Sequence, residues 1–331
     1  MKHKYWLETV LLCGVMQSAP AQSILKNKDE KELSLLLNEV VVTGTGTEHY
    51  LKDAPVQTEV LTGKALEQYQ ARSIDDLLSG LSPSLTFHDG DMGSHIQLNG
   101  LNNDYILIMI NGKRMNGDIG GQNDLNQLNP ANIERIEIVK GAASSLYGSD
   151  AIAGVINIIT KRSREKMELT STTRVGEHGD VRQSANFGFG YGKLKSVTGI
   201  NFRHTDGWRN TDMQWDQNQL KPGSTMLTVN RSSNYTLSEN LEWQGNRKLN
   251  LTAEGTYYER WVMRTHGPWK YLPNDFYYRN YTFAAGSRYK LNGRNYLTAD
   301  LSYGRYGYFY DYKLKDITDY FKDGDRITYY L

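Results

Sequence analysis

Asn132-Ile133-Glu134-Arg135-Ile136-Glu137-Ile138-Val139-Lys140-Gly141, followed by Ser145-Leu146-Tyr147-Gly148-Ser149-Asp150-Ala151-Ile152-Ala153-Gly154-Val155-Ile156-Asn157-Ile158-Ile159-Thr160-Lys161, forms two strands joined by a glycine-rich link. In the first part isoleucines alternate with Glu134 or Arg135 and with Glu137, which predicts a strand with one wet face. In the second, Val155-Ile156-Asn157-Ile158-Ile159 after Gly154 is a short, mostly apolar run, which predicts a buried strand. Toward the N-terminus, Ile106 to Ile110 is another apolar run of strand length, closed by the turn pair Asn111-Gly112. Gly63 to Leu81 contains a helical stretch with Leu66, Tyr69, Ile74, Leu77 and Leu78 apolar, stopped by Gly80 and Pro83. Residues 51–162 therefore read as a compact mixed α/β domain.

After Lys161 the texture changes. Leu249, Leu251, Ala253 and Tyr257 alternate with Asn250, Thr252, Glu254 and Thr256, and Leu297 to Tyr303 repeats the pattern. Period-2 alternation over such lengths marks strands with one greasy and one wet face. Tight turns at Gly192-Lys193, Gly245-Asn246 and Asn292-Gly293 alternate with long links at 206–231, 260–275 and 311–324, the stringing of an outer-membrane barrel. Aromatic groups fall where strands meet the long links: Tyr257, Tyr258 and Trp261; Phe276, Tyr277 and Tyr278; Tyr306, Tyr308, Phe309 and Tyr310. They are expected to form an interfacial girdle. A soluble β-sandwich that uses them as core is the alternative.

The 132–161 stretch resembles the plug signature of the TonB-dependent receptors almost residue for residue, and Ile96 to Leu101 and Ile110 to Gly112 are similar to two earlier plug motifs. Asn99 stands where the family usually has arginine, and Asn111 where it usually has aspartate, which puts an ion-pair role there in doubt. The resemblance implies an α+β plug domain over 51–162, then antiparallel transmembrane β-barrel strands over 163–331. It implies that Gly141, Gly148 and Gly154 serve tight backbone paths rather than ligand contacts. It also implies that Glu39, Val40, Val41, Val42 and Thr43 are the TonB box, grasped by TonB of the inner-membrane energy-coupling complex, within a periplasmic segment 22–50. Read from its residues alone, 39–43 is a short β-prone run with no obvious partner, able to add to another protein's sheet edge. A plain edge strand of the following domain reads equally well there.

The first residues read as an export signal over 1–21: Lys2 and Lys4, an apolar run through Met16, then Ala19-Pro20-Ala21 as a cleavage site. The run falls short of the roughly 20 residues that a membrane-spanning helix needs. Cys13, the one cysteine, lies inside that signal, so no disulfide is expected in the exported chain. Lys plus Arg is 38 against 37 for Asp plus Glu, a balance that excludes a nucleic-acid partner on charge. The 23 tyrosines and 31 glycines suit long strands between lipid and water. Gly44-Thr45-Gly46 lacks the third glycine and following helix of a phosphate loop.

The histidines are scattered and no nucleophile elbow or zinc-binding pair is present, so no enzyme is expected. The stretch from 22 to 38 is too short for the extra domain of glycan-importing relatives. The resemblance then implies energy-coupled uptake of a scarce metal chelate across the outer membrane: haem or cobalamin first, a ferric siderophore otherwise. The alternative is a passive porin or surface binding protein without energy coupling. Haem receptors of this family often ligate through a plug histidine, which makes His88 and His95 candidates. Asp206, Asp212 and Asp216 in an oxygen-rich link are candidates for calcium, with no cofactor otherwise required. Finally, roughly eight strand candidates follow Met167, whereas the resemblance implies a barrel of about 22, and an eight-stranded barrel holds only its own side chains. The 331-residue chain is therefore expected to be an N-terminal fragment or truncated frame, unable to transport alone.

Overall fold

A computed structural model describes residues 40–41, 43, 49–51, 56–69, 73–89, 93–119, 121–141, 143–162, 166–209, 215–216, 219–220, 227–263, 271–292, 295–314 and 320–321. The export signal, Glu39, Val42 and Asp212 lie outside the described residues. The chain divides into two units, Met1–Pro55 and Val56–Leu331.

In the first unit β1 (Val40–Val41) pairs antiparallel with β2 (His49–Tyr50), Val40 opposite Tyr50 and Val41 opposite His49. This corrects the expectation of a partnerless strand.

The second unit begins with β3 (Thr58–Thr62), α1 (Gly63–Tyr69), α2 (Ile74–Leu81), β4 (Leu85–Asp89) and β5 (Ser94–Leu98). There follow β6 (Ile106–Ile110), β7 (Lys113–Arg114), β8 (Asp118–Ile119), β9 (Gln122–Asn123), β10 (Ile133–Lys140), α3 (Ser144–Tyr147) and β11 (Gly154–Thr160). The helical stretch is thus two helices. Ser73 starts α2, its hydroxyl accepting from the Asp76 N–H at 3.2 Å, and α2 ends at Leu81 because Ser82 precedes Pro83 and is extended.

The main sheet runs β3-β10-β11-β6-β7, with β6 and β11 parallel, and β4-β5-β9-β8 form a second sheet. One core joins Leu66, Ile74, Leu77 and Leu78 of the helices to Ile136, Ile138, Ile156 and Ile158 of the central strands. On the opposite face Leu107, Met109, Val139 and Val155 are covered by Ala143 and Ala151. Burial on both faces is why β6 is apolar throughout and β11 nearly so, its buried Asn157 accepting from the Gly112 N–H at 3.0 Å. It also corrects the wet face expected on β10. Glu137 is fully buried in this central strand and accepts from Arg135 Nε at 2.9 Å.

Asn99 and Asn111 have φ of +52° and +51°, each followed by a left-handed glycine, the signature of type I′ hairpin turns. At Asn111 the asparagine therefore closes the β6–β7 hairpin. Its Oδ1 accepts from the Thr160 N–H at 3.0 Å.

From Met167 the chain forms one open antiparallel sheet, a curtain we call the wall. Its strands are β12 (Met167–Val175), β13 (Val181–Tyr191), β14 (Leu194–Thr205), β19 (Arg231–Gln244), β20 (Leu249–Met263), β21 (Tyr271–Lys290), β22 (Tyr296–Leu314) and β23 (Tyr320–Phe321), in that order. The link after β14 carries its own pairs, β15 (Trp208–Arg209) with β18 (Leu227–Val229) and β16 (Trp215–Asp216) with β17 (Gln219–Leu220). The link expected at 260–275 shrinks because β20 and β21 stay paired out to Met263 and Asp275. Strands of 15 to 20 residues outrun an apolar band of about 25 Å and continue beyond it.

Candidate functional site: the plug against the inner wall

Alternation assigns each wall residue a face. Phe187, Tyr235, Leu237, Leu241, Phe283 and Leu301 are exposed on the outer face. Their even-numbered neighbours on β13, β19, β20, β21 and β22 turn inward, where plug residues 111–132 meet them. The aromatic girdle is corrected accordingly. Tyr258, Phe276, Tyr278 and Tyr306 are buried in one inward cluster with Val262, and Tyr308 packs on it. In a pleated strand adjacent aromatics cannot share a face, so Tyr257 points outward, beside Tyr281 at 5.2 Å, while Tyr258 points in.

That inward cluster grips one plug carboxylate. Asp124 is fully buried, and its Oδ2 accepts from the hydroxyls of Tyr258 at 3.0 Å and Tyr306 at 2.8 Å. Its Oδ1 accepts from Arg260 Nη1 at 3.3 Å and Asn126 Nδ2 at 3.2 Å. Arg260 also lies over the Tyr278 ring, 5.3 Å from its centre. A buried carboxylate is tolerable only with such a complete set of donors.

Beside this knot, Gln127 donates to the Asn116 carbonyl at 2.6 Å and accepts from Asn280 Nδ2 at 2.6 Å. Asn129 donates to Ser184 at 2.6 Å, and Lys113 reaches Glu254 at 3.4 Å. The wall makes room for the plug with glycine. A Cβ on Gly304 would overlap the Asn116 side chain, 1.7 Å from its amide nitrogen.

Two clefts of about 570 Å³ each flank these contacts. The first mixes apolar side chains such as Ile110, Met115 and Ile158 with amides and hydroxyls, and the amide oxygens of Asn132, Asn186 and Asn280 are buried there with no hydrogen-bond partner among the described residues. The second gathers Arg174, Arg182 and Arg203 around Asn126 and Asn129. Asp118 borders the first cleft. Burial, reinforced by the Asp104 carboxylate, holds it above the ordinary aspartate range.

The candidate residues are placed as follows. His88 and His95 are directly opposite each other on β4 and β5, and both are exposed. Asp206 is engaged at the base of the outer link by Arg231 Nε at 3.5 Å and His204 Nε2 at 3.3 Å. Asp216 is placed as backbone in β16. The structure thus brings the two histidines together and does not bring three calcium ligands together among the described residues. Of the 39–43 segment, Val41 and Thr43 are buried. Sequence reasoning missed Asp124, Gln127 and Arg260. Strand parity carries the signal for Arg260, whereas nothing local singles out Asp124 or Gln127.

A strand wall greasy outside and polar inside, with an α+β domain held to its inner face, defines the class: a plugged outer-membrane barrel receptor. Residues 51–155 match the family model for the TonB-dependent Receptor Plug Domain, so this part of the chain is a plug domain of that kind, followed by the antiparallel strands of the wall. It is 30% identical over 226 residues to a "Vitamin B12 transporter BtuB" of Vibrio vulnificus, covering 66% of this chain and 36% of that protein. It is 33% identical over 186 residues to an "Iron-regulated outer membrane virulence protein" of Vibrio cholerae, covering 53% and 27%. The chain thus spans about a third of the length of these relatives. Among solved structures, the alcaligin outer-membrane receptor FauA of Bordetella pertussis matches with TM-score 0.64 at 16% identity, over 83% of this chain and 43% of that one. The siderophore receptor PiuA of Acinetobacter baumannii matches with TM-score 0.63 at 13% identity, over 84% and 40%. These likenesses show the fold. None of these relatives or structures is named as an enzyme.

Proposed function

We propose that this chain serves energy-coupled import of a metal chelate across the outer membrane, with TonB pulling on residues 39–43 to release the plug. The observation that carries this reading is the seam itself. The plug is held to the wall by a charged knot at Asp124, by the Lys113–Glu254 pair and by neutral amide and hydroxyl contacts beside the two clefts. Such contacts exchange readily for water, so a plug held this way can be displaced without exposing apolar core. The relative named as a vitamin B12 transporter supports cobalamin as cargo, and the siderophore receptors of like fold support a ferric chelate. The facing pair His88 and His95 supports haem, through neutral imidazole on iron. Replacing both with alanine is then expected to weaken haem binding, and unchanged affinity rejects that ligation. Calcium at Asp206, Asp212 and Asp216 is a further proposal; it requires Asp206 to leave Arg231, and a calcium titration that orders the link supports it.

The reading is tested by uptake of cobalamin, ferric siderophores and haem in cells expressing the gene product with and without residues 39–43. A coupled receptor loses uptake of its cargo on deletion. A passive pore, the alternative, is unaffected.

A further inference from the structure

On the outer face of the wall, β19 carries Glu239 midway between Tyr235 and Trp243. Its parity is fixed by its neighbours: Ser238 and Asn240 line the inner cleft, while Leu237 and Leu241 are exposed outside. Tyr235 stacks with Phe202 at 6.5 Å toward the long-link end, and Trp243 stands near the tight-turn end. At about 3.3 Å per residue and a tilt near 40°, Glu239 lies about 10 Å from either aromatic level, close to mid-bilayer.

Both of its oxygens are occupied across the strand pair. Oε1 accepts from Ser196 Oγ at 2.5 Å and Oε2 from Thr198 Oγ1 at 2.6 Å, the short lengths of hydrogen bonds to a charged acceptor. Glu239 makes no ion pair among the described residues. On its other side it faces Gly255, around whose missing Cβ nothing lies within 4 Å. The result is a notch in the apolar surface with a carboxylate at its edge. Ionisable groups within membranes are costly and ordinarily turn inward or pair; this one turns toward lipid with hydroxyls only.

We propose that Glu239, Ser196, Thr198 and the gap over Gly255 form a docking point, in the plane of the membrane, for another membrane-spanning protein that brings a basic side chain to the carboxylate. Charge complementarity selects that occupant. A second copy meeting face to face would set Glu239 against Glu239. Among the described residues, Arg231, Arg279 and Arg305 do not supply the cation: all three stand nearer the long-link end than the Glu239 row, which continues through Gly255, Phe283 and Tyr303.

Dicyclohexylcarbodiimide, which enters bilayers and modifies lipid-accessible carboxyl groups, reads the site. Its reaction at Glu239 is followed by mass spectrometry in native outer membranes and in phospholipid vesicles holding only the purified full-length gene product. The expected result is roughly tenfold slower modification in native membranes, as for a group held by its partner most of the time. Equal rates overturn the proposal, because lipid then lies against Glu239. Slow reaction in both settings overturns it too, because the chain covers its own carboxylate. Protection that returns in vesicles as chain density rises overturns the choice of a different protein. Glu239→Gln, equal in shape but unable to ion-pair, is expected to lose the larger complex on native gels, and its retention contradicts a charge-based contact.

Discussion

Asp124 shows most directly how a single side chain ties plug to wall. Its carboxylate compensates Arg260 and receives two tyrosine hydroxyls that have no access to water. Asp124→Ala leaves the arginine buried without a counter-charge, which is expected to cost about 3–5 kcal/mol of plug–wall stability. Thermal unfolding and protease sensitivity of the plug measure it. Adding Arg260→Met removes the orphan charge and is expected to recover a substantial part of that loss; no recovery means the charge pair is not the cause. Asp118 gives the opposite sign of effect. Its pKa is raised from 3.8 by burial and by Asp104, so the folded state holds its proton more tightly than the unfolded one. Stability from that proton is present below pH 3.8 and is lost as pH rises through the folded value. Asp118→Asn is therefore expected to stabilise the plug at neutral pH and to make no difference in acid below 3.8. Unfolding midpoints across that range test the sign.

At the level of elements, the glycines implied to serve tight backbone paths have that geometry. Gly141, Gly148 and Gly154 have φ of +91°, +86° and +153°. A Cβ on Gly154 would overlap the Val139 carbonyl oxygen at the end of the β10–β11 ladder, where Gly154 pairs with Lys140. Gly154→Ala is expected to cost about 2 kcal/mol or more, since backbone rather than a flexible side chain must yield. A denaturant midpoint equal to that of the parent would show the ladder accommodates it. What was legible in the sequence were elements with a strong period or a long apolar run, such as β6, β11 and β20, and the turns at Asn111-Gly112 and Gly192-Lys193. The buried face of β10 was not legible, because Glu137 is made tolerable by Arg135 and by the cover over that face rather than by anything in the strand's own pattern. The girdle was half legible: aromatic clusters mark the strand ends, but only parity separates Tyr257 from Tyr258. The 206–231 link hid short pairs, since two-residue strands have no period to read.

For the molecule as a whole, the plug packs against the inner face of the wall, with hydrogen bonds and ion pairs along the seam. Most of the plug's large apolar side chains pack into the two clusters that flank its main sheet. The facing histidines and the arginine-lined cleft were beyond sequence reasoning as arrangements, because the strands that bring them together lie far apart in the chain or depend on hairpin register.

The central claim, that the plug must part from the wall for cargo to pass, is tested most directly by a reversible tether across the seam. Gln127 and Asn280 meet through their side-chain amides at 2.6 Å. With Gln127→Cys and Asn280→Cys in the full-length receptor, cargo uptake is predicted to stop when the disulfide forms and to return on reduction. Uptake that continues unchanged with the disulfide intact would contradict the account.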